Sequence, residues 1–245
     1  MTQQLSFDLP IRAALGREDF FVAPANAMAV ALIENWQHWP GRKLLLEGPL
    51  GAGKTHLAHV WAKAAGAQIV AATALRQADI PALSRSCIAV EDVPAIAGDA
   101  QAEDALFHLH NLVLAEGHAL LLTADRPASR WGLHLPDLAS RMQGTQATRL
   151  EAPDDRLLAA LLAKLFADRQ LIPTPDTIPY LVARMDRSFD NARQLVAQLD
   201  QAALSQGRAV NRKLAGEVLE QLSQPDLLDK SLVAAQLRNQ TVTDR

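Results

Sequence analysis

The chain has a single cysteine, Cys87, among its 245 residues, so it cannot close an internal disulfide. A lone thiol within an apolar run is typical of a small buried side chain and suits a reducing compartment, which predicts a cytoplasmic protein. No apolar run reaches the roughly 18 residues of a membrane span, and no charged-then-apolar leader opens the chain. We therefore expect neither a secreted disulfide scaffold nor a membrane protein.

Positive charge is not in excess either. Lys and Arg total 24 against 27 Asp and Glu, which gives a net charge of -3. Because DNA binding normally needs a basic face, this balance argues against non-specific DNA binding by the chain as a whole, although a local basic patch stays open. We expect no direct sequence-specific DNA binding either. Apolar residues make up 49% of the chain, enough for the core of one large domain or of one large and one small domain.

Two regions of different periodicity divide the chain. Up to about residue 152, helical patterns separate short apolar runs, and these runs predict strands at 43–47, 68–72, 87–91, 118–123 and 148–150. This alternation predicts an α/β domain in which helices flank a parallel five-stranded sheet. From 153 onward the patterns are helical, at 156–169, 178–183, 191–206 and 211–222, which predicts a small all-α domain.

These patterns set the expected domains. We predict an α/β domain over 13–152 and a small helical domain over 153–224. A flexible segment at 1–12 would precede them, and a helix or tail at 225–245 would follow.

The segment GPLGAGKT, residues 48–55, satisfies the pattern G-x-x-x-x-G-K-[ST] between a predicted strand and a predicted helix. Glycines let successive N–H groups point inward at phosphate oxygens, and the following helix adds its positive dipole end. Lys54 would reach the β- and γ-phosphates, and Thr55 would give its hydroxyl to Mg²⁺. Rather than a chance glycine-rich turn, we predict a nucleotide site formed by Gly48, Pro49, Gly51, Ala52, Gly53, Lys54, Thr55 and His56.

A second motif, IAVED at 88–92, ends an apolar strand in two acids. In the common form an Asp holds Mg²⁺, and the acid after it orients the attacking water. Here Glu91 takes the metal position and Asp92 the water position. The side chain at the metal position is therefore one methylene longer than in the common form, and the side chain at the water position is one methylene shorter. Metal binding would survive this exchange, whereas fast hydrolysis does not follow from it. The alternative is a pair of solvent-facing acids at a strand end.

The order of these parts resembles the AAA+ superfamily and, within it, the branch of the bacterial initiator DnaA. LLLTADRP at 120–127 is similar to the sensor 1 segment, which implies that Thr123 and Asp125 respond to the γ-phosphate. LPDLASRM at 135–142 resembles the box of the arginine finger, which implies that Arg141 enters the nucleotide site of an adjacent subunit. FDNARQL at 189–195 resembles the start of the sensor 2 helix, which implies that Arg193 reaches the nucleotide.

The resemblance covers about residues 20–222. It implies ADP or ATP with Mg²⁺ as the cofactors, and it makes Phe21 and Val22 candidates for contact with the base. The tail after Leu222 is too short for the DNA-binding domain of DnaA, and the long N-terminal region of helicase loaders is lacking. Within the branch, the chain is therefore similar to the Hda-type regulators of DnaA.

The segment QLSFDL at 4–9 resembles the short peptides with which proteins dock on the bacterial sliding clamp. Leu5, Phe7 and Leu9 would enter an apolar pocket, while the Gln4 amide would hydrogen-bond at its edge. The same alternation also fits an edge strand or a staple on the chain's own core, so the residues alone leave both interpretations open.

Together these motifs predict a regulator that prevents re-initiation of replication. It would bind an adenine nucleotide and the DNA polymerase III sliding clamp on DNA, and it would press Arg141 into the ATP site of DnaA. With Asp92 in the position that orients the attacking water, ATP hydrolysis by the chain itself would be weak or absent. The alternatives are a helicase-loader-like or remodelling ATPase with its own turnover, and a scaffold with a vestigial pocket. A homo-oligomer stays open, and no membrane partner is expected.

Overall fold

The computed structural model describes residue 22 and residues 26–223. The chain divides into two compact units between Ala152 and Pro153. Within the described part, no helix is long and apolar enough to cross a bilayer. Several predicted features lie outside the described residues, namely the segments 1–12 and 225–245 and the residues Gln4, Leu5, Phe7, Leu9 and Phe21.

The first unit is built on a parallel sheet. Its strands are β1 (Lys43–Glu47), β2 (Gln68–Ala71), β3 (Ile88–Glu91), β4 (Leu120–Ala124) and β5 (Ala147–Arg149). The strand order is β2-β3-β4-β1-β5, and every neighbouring pair is parallel. Glu47 pairs with Ala124 and Val90 with Leu122, so the carboxyl ends of β1, β3 and β4 meet at one edge. The predicted five-stranded parallel sheet is confirmed.

Helices cover both faces of this sheet. They are α1 (Ala27–Glu34), α2 (Lys54–Ala65), α3 (Ile80–Leu83), α4 (Ala100–Ala115) and α5 (Pro136–Gln143). Because side chains alternate along a strand, Leu44 and Leu46 join a core with α1 and α2 on one face. Leu45 joins a second core with α4 and α5 on the other face. The helix after the glycine loop and the helix of Arg141 therefore lie on opposite faces.

The predicted element boundaries are shifted in a few places. The strand predicted at 118–123 begins at Leu120, because the N–H of His118 closes α4 by donating to the carbonyl of Val113 at 2.9 Å. The short helices α3 and α5 were missed. Each has a proline in its first turn, a position that proline favours because the helix has no partner for that N–H.

The second unit is all helical. Its helices are α6 (Asp155–Asp168), α7 (Thr177–Val182), α8 (Phe189–Gln206) and α9 (Arg212–Ser223). Asp154 begins α6, since its carboxylate accepts the N–H of Leu157 at 2.8 Å. The Ser188 hydroxyl begins α8 in the same way. The helices bury Leu158, Leu162, Phe166, Leu181, Leu195, Leu199, Leu214 and Val218.

Candidate nucleotide-binding site

The loop from Gly48 to Gly53 joins β1 to α2 and requires glycine for two different reasons. Gly51 and Gly53 have φ values of 73° and 94°, a left-handed region that side chains disfavour. Gly48 is needed for space, because a Cβ there would lie 2.5 Å from the carbonyl oxygen of Leu150. The residue that directly follows β5 therefore packs closely against one side of the loop, and the backbone turn supplies the rest of its shape.

Lys54 closes the loop from within. The side chain is buried, and its Nζ donates to the carbonyl oxygens of Gly48 at 2.8 Å and Pro49 at 2.9 Å. Thr55 is exposed in the first turn of α2, while His56 and Ala52 are buried. The first turn of a helix has N–H groups without helical partners and a positive dipole end. An ammonium and backbone donors therefore converge on one small region, an arrangement that suits phosphate oxygens.

The two acids at the end of β3, Glu91 in the strand and Asp92 after it, lie at the same edge of the sheet but in different environments. One carboxylate oxygen of Glu91, Oε1, is buried without a hydrogen-bond partner among the described residues. Asp92 adopts a left-handed backbone conformation at φ 54°, and its N–H donates to the Thr123 hydroxyl at 3.0 Å. The side chain of Asp92 is exposed. Thr123 on β4 thus fixes the turn that presents Asp92.

The donor set at this edge fits a hard cation only together with a phosphate ligand. Within residues 26–223, no group of three or more His, Cys, Asp or Glu side chains could hold a metal ion by itself. Mg²⁺ in nucleotide sites typically takes one or two protein oxygens and completes its shell with phosphate oxygens and water. The buried oxygen of Glu91 and the hydroxyl of Thr55 are suitable protein ligands for such an ion.

Three further residues were predicted to contact the nucleotide, namely Asp125, Val22 and Arg193. Asp125 follows β4 and is exposed, and Nη1 of Arg126 donates to both of its carboxylate oxygens, at 3.2 and 2.9 Å. Val22 is about half exposed. Arg193 belongs to the second unit, where it lies on α8 and its Nη1 donates to Asp190 at 3.3 Å.

Arg141 is placed away from the loop of its own chain. It is exposed in the last turn of α5, with its guanidinium carbon 5.0 Å from the ring centroid of Phe107 on α4. Its carbonyl oxygen accepts a hydrogen bond of 3.1 Å from Lys43, the first residue of β1, whereas the glycine loop follows the last residue of β1. A strand of this length spans about 16 Å. The cation therefore faces outward and cannot serve its own loop.

A partly buried chain of polar groups anchors the end of α5. Lys43 Nζ lies 3.3 Å from Nε2 of His110, and the Nδ1 atom of His110 lies 3.2 Å from the side-chain oxygen of Asn111. Burial and the charges of Lys43 and Arg141 lower the pKa of His110 to about 4, against the opposing effect of Asn111. The neutral ring with its proton on Nδ1 satisfies both contacts. Lys43 thus holds a histidine and the carbonyl of Arg141 together.

Sequence reasoning missed Glu103, which orders the segment leading into α5. Its fully buried carboxylate accepts N–H groups from Gly98 at 2.8 Å, from His134 at 2.9 Å and from Leu135 at 2.7 Å. Burial by itself raises the pKa of this carboxyl, but the three backbone donors together lower it below the ordinary value of 4.5. The available signal was an acid on the apolar stripe of a predicted helix, beside Leu106 and Val113.

We expect Glu103→Gln to lower the free energy of unfolding at pH 7 by about 2 kcal/mol, because three buried donors lose a charged acceptor. A lowered native pKa stabilises the fold above the unfolded-state pKa, and this contribution disappears as pH falls through the native value. The difference from wild type should therefore shrink below about pH 4. Urea denaturation across this range measures it. The exposed neighbour Asp104→Asn is the control, and an equal loss in both variants would contradict this role of Glu103.

Comparison with known proteins establishes the fold. No family model matches the chain. Among solved structures, domain III of the Thermotoga maritima replication initiation protein DnaA superposes with a TM-score of 0.74 at 19% identity, covering 89% of this chain and 100% of that one. AMPPCP-bound DnaA from Aquifex aeolicus gives 0.63 at 20% identity, over 78% of this chain and 65% of that one. A Thermotoga maritima RuvB mutant gives 0.65 at 17% identity, over 84% and 71%.

These likenesses show the fold of the chain. The chain has the α/β AAA+ fold, as found in DnaA and RuvB.

Proposed function

We propose that this chain binds ADP or ATP with Mg²⁺, docks on the sliding clamp, and supplies Arg141 in trans to accelerate ATP hydrolysis by DnaA. The position of Arg141 is the observation that carries this proposal. The residue is exposed, its side chain packs on Phe107, and its carbonyl is anchored at the end of β1 remote from the glycine loop. A cation placed in this way is available to a neighbouring molecule.

Nucleotide binding is supported by the loop. Lys54, the backbone donors and the first turn of α2 would hold the phosphates, and Glu91 and Thr55 would hold the ion. The bound ion supplies charge neutralisation at the phosphates. In this chain the nucleotide would act mainly as a structural ligand, because the shorter Asp92 is a poor match for the position that orients the attacking water.

The rate gain would arise in the partner's site. There, water attacks the γ-phosphorus of the ATP bound to DnaA, the bond to the ADP oxygen breaks, and inorganic phosphate and a proton are released. Negative charge spreads over the transferring phosphoryl group, and a guanidinium placed beside it lowers the barrier. A chain with the fold of the DnaA AAA+ domain suits a place beside that domain. DnaA would then remain in its ADP form.

Clamp docking by residues 4–9 is proposed from the peptide's pattern. We expect Leu5→Ala combined with Phe7→Ala to abolish clamp binding, because both apolar anchors of a short peptide are lost together. The variant's melting temperature and nucleotide affinity should match those of the wild type. Surface plasmon resonance on immobilised clamp measures the loss, and Ser6→Ala is a matched control within the same segment. Retained binding by the double variant would instead favour a role for these side chains in the chain's own core.

A further inference from the structure

A tyrosine flanked by two arginines lines a groove on the helical unit. The guanidinium carbons of Arg184 and Arg212 lie 4.3 and 4.9 Å from the ring centroid of Tyr180 on α7. The groove has a volume of about 620 Å³, and Lys213, Gly216, Glu217 and Glu220 also line it. Both arginines and Lys213 are exposed. Three cations therefore border one open groove in a chain whose net charge is negative.

The arrangement depends on a glycine inside a helix. A Cβ on Gly216 of α9 would lie 3.0 Å from the hydroxyl oxygen of Tyr180, closer than ordinary contact. Glycine in a helix interior costs about 1 kcal/mol relative to alanine. Here it allows the tyrosine to lie across α9, where its ring meets both guanidinium groups.

Neither of the two arginines forms an ion pair within the described part of the chain. Between residues 26 and 223, no carboxylate lies within ion-pair distance of Arg184 or Arg212. Other arginines of the same unit do have such partners: Arg169 pairs with Asp200, Arg187 with Asp155, and Arg208 with Glu217. Neither arginine held against the ring therefore has an ion-pair partner of the kind that its neighbours have, although Glu217 and Glu220 line the same groove.

We propose that this groove binds a single-stranded nucleic acid without reading its sequence. Arg184, Arg212 and Lys213 would contact successive phosphates, and the planar guanidinium groups would offer flat surfaces to unstacked bases. Glu217 already pairs with Arg208, and Glu220 can accept base amino groups. Bases can also stack on the guanidinium faces, which carboxylate side chains cannot do, so the groove favours nucleic acid over an acidic peptide. The site lies within the helical unit and does not depend on nucleotide binding or on Arg141.

The test is fluorescence anisotropy of the full-length chain with a labelled, mixed-sequence DNA strand of about 16 nucleotides. Between about 50 and 200 mM salt, each single-strand phosphate contact contributes about 0.7 to the slope of log K against log salt. Combining Arg184→Ala with Arg212→Ala should weaken binding about tenfold or more and reduce that slope by about 1.4. The control, Arg85→Ala combined with Arg156→Ala, removes two other exposed arginines and should leave both quantities unchanged.

Further arms keep the proposal falsifiable. Lys213→Ala changes an exposed lysine at the start of α9 and should reduce the slope by about 0.7, even if the double arginine variant folds poorly. Unchanged binding in both variants would overturn the proposal. So would a poly-glutamate peptide that binds through the same arginines while DNA does not. Tighter binding of a duplex of equal length would contradict the assignment to single strands. Normal DNA binding by Lys54→Ala would show that this site is independent of the nucleotide site.

Discussion

An Arg141→Ala variant should bind nucleotide and clamp like the wild type but leave ATP hydrolysis by DnaA near its unstimulated rate. A finger supplied in trans is worth about 10³–10⁵ in rate, because it stabilises the charge that develops on the transferring phosphoryl group. The side chain is exposed and contacts the face of Phe107, so its removal should cost the fold little. Phosphate release from DnaA, measured with the clamp on DNA, gives the effect directly.

Two further variants sharpen this prediction. Arg130→Ala removes another exposed arginine from the same unit and should keep full stimulation. Arg141→Lys keeps the charge but loses the planar donor fork, so we expect it to recover little of the activity. Full stimulation by Arg141→Ala would place the catalytic cation elsewhere, and a partial loss shared with Arg130→Ala would point to general surface charge.

Lys54→Ala should weaken binding of both ADP and ATP by about 10- to 100-fold. A charge-assisted hydrogen bond to a buried anion is worth about 1.5–3 kcal/mol, and Lys54 supplies the ammonium at the centre of the loop. Isothermal titration calorimetry in the presence of Mg²⁺ measures the change. Stimulation of DnaA should fall with nucleotide affinity if the bound nucleotide orders the chain for docking.

Lys63→Ala is the matched control, because it removes an exposed lysine from the last turn of the same helix. Its nucleotide affinity should equal that of the wild type. If Lys54→Ala instead bound nucleotide normally and retained every activity, the loop would be vestigial and the chain a scaffold.

The sheet and the glycine loop could be predicted because their signals are local. The apolar runs at 44–46, 88–90 and 120–122 are continuous, as expected for strands buried on both faces. Gly51, Gly53 and Lys54 form one short segment whose residue types are dictated by the backbone turn and the phosphate. The steric need for glycine at position 48 could not be predicted from the local sequence, because Leu150, which leaves no room for a Cβ there, lies about a hundred positions away in the chain.

The support around Arg141 could not be predicted, because its partners are distant in sequence. The bond from Lys43 to the carbonyl of Arg141 spans 98 positions, and those from Glu103 to the segment before α5 span 31 and 32. The position of Glu103 on the apolar stripe of its helix indicates burial, but nothing in the local pattern of Lys43 or Glu103 identifies the distant groups that they bind. The resemblance implied that Arg141 serves an adjacent subunit. The structure adds that its side chain is exposed and that Lys43 binds its carbonyl oxygen.

The central claim is that this chain accelerates hydrolysis at a site it does not itself contain. The most direct measurement is ATP hydrolysis by DnaA in a mixture with this chain, the clamp and DNA, with each component omitted in turn. We predict fast hydrolysis in the complete mixture, loss of stimulation when any component is missing, and slow turnover by this chain alone. Equally fast turnover by this chain without DnaA would contradict the account and identify a self-sufficient ATPase.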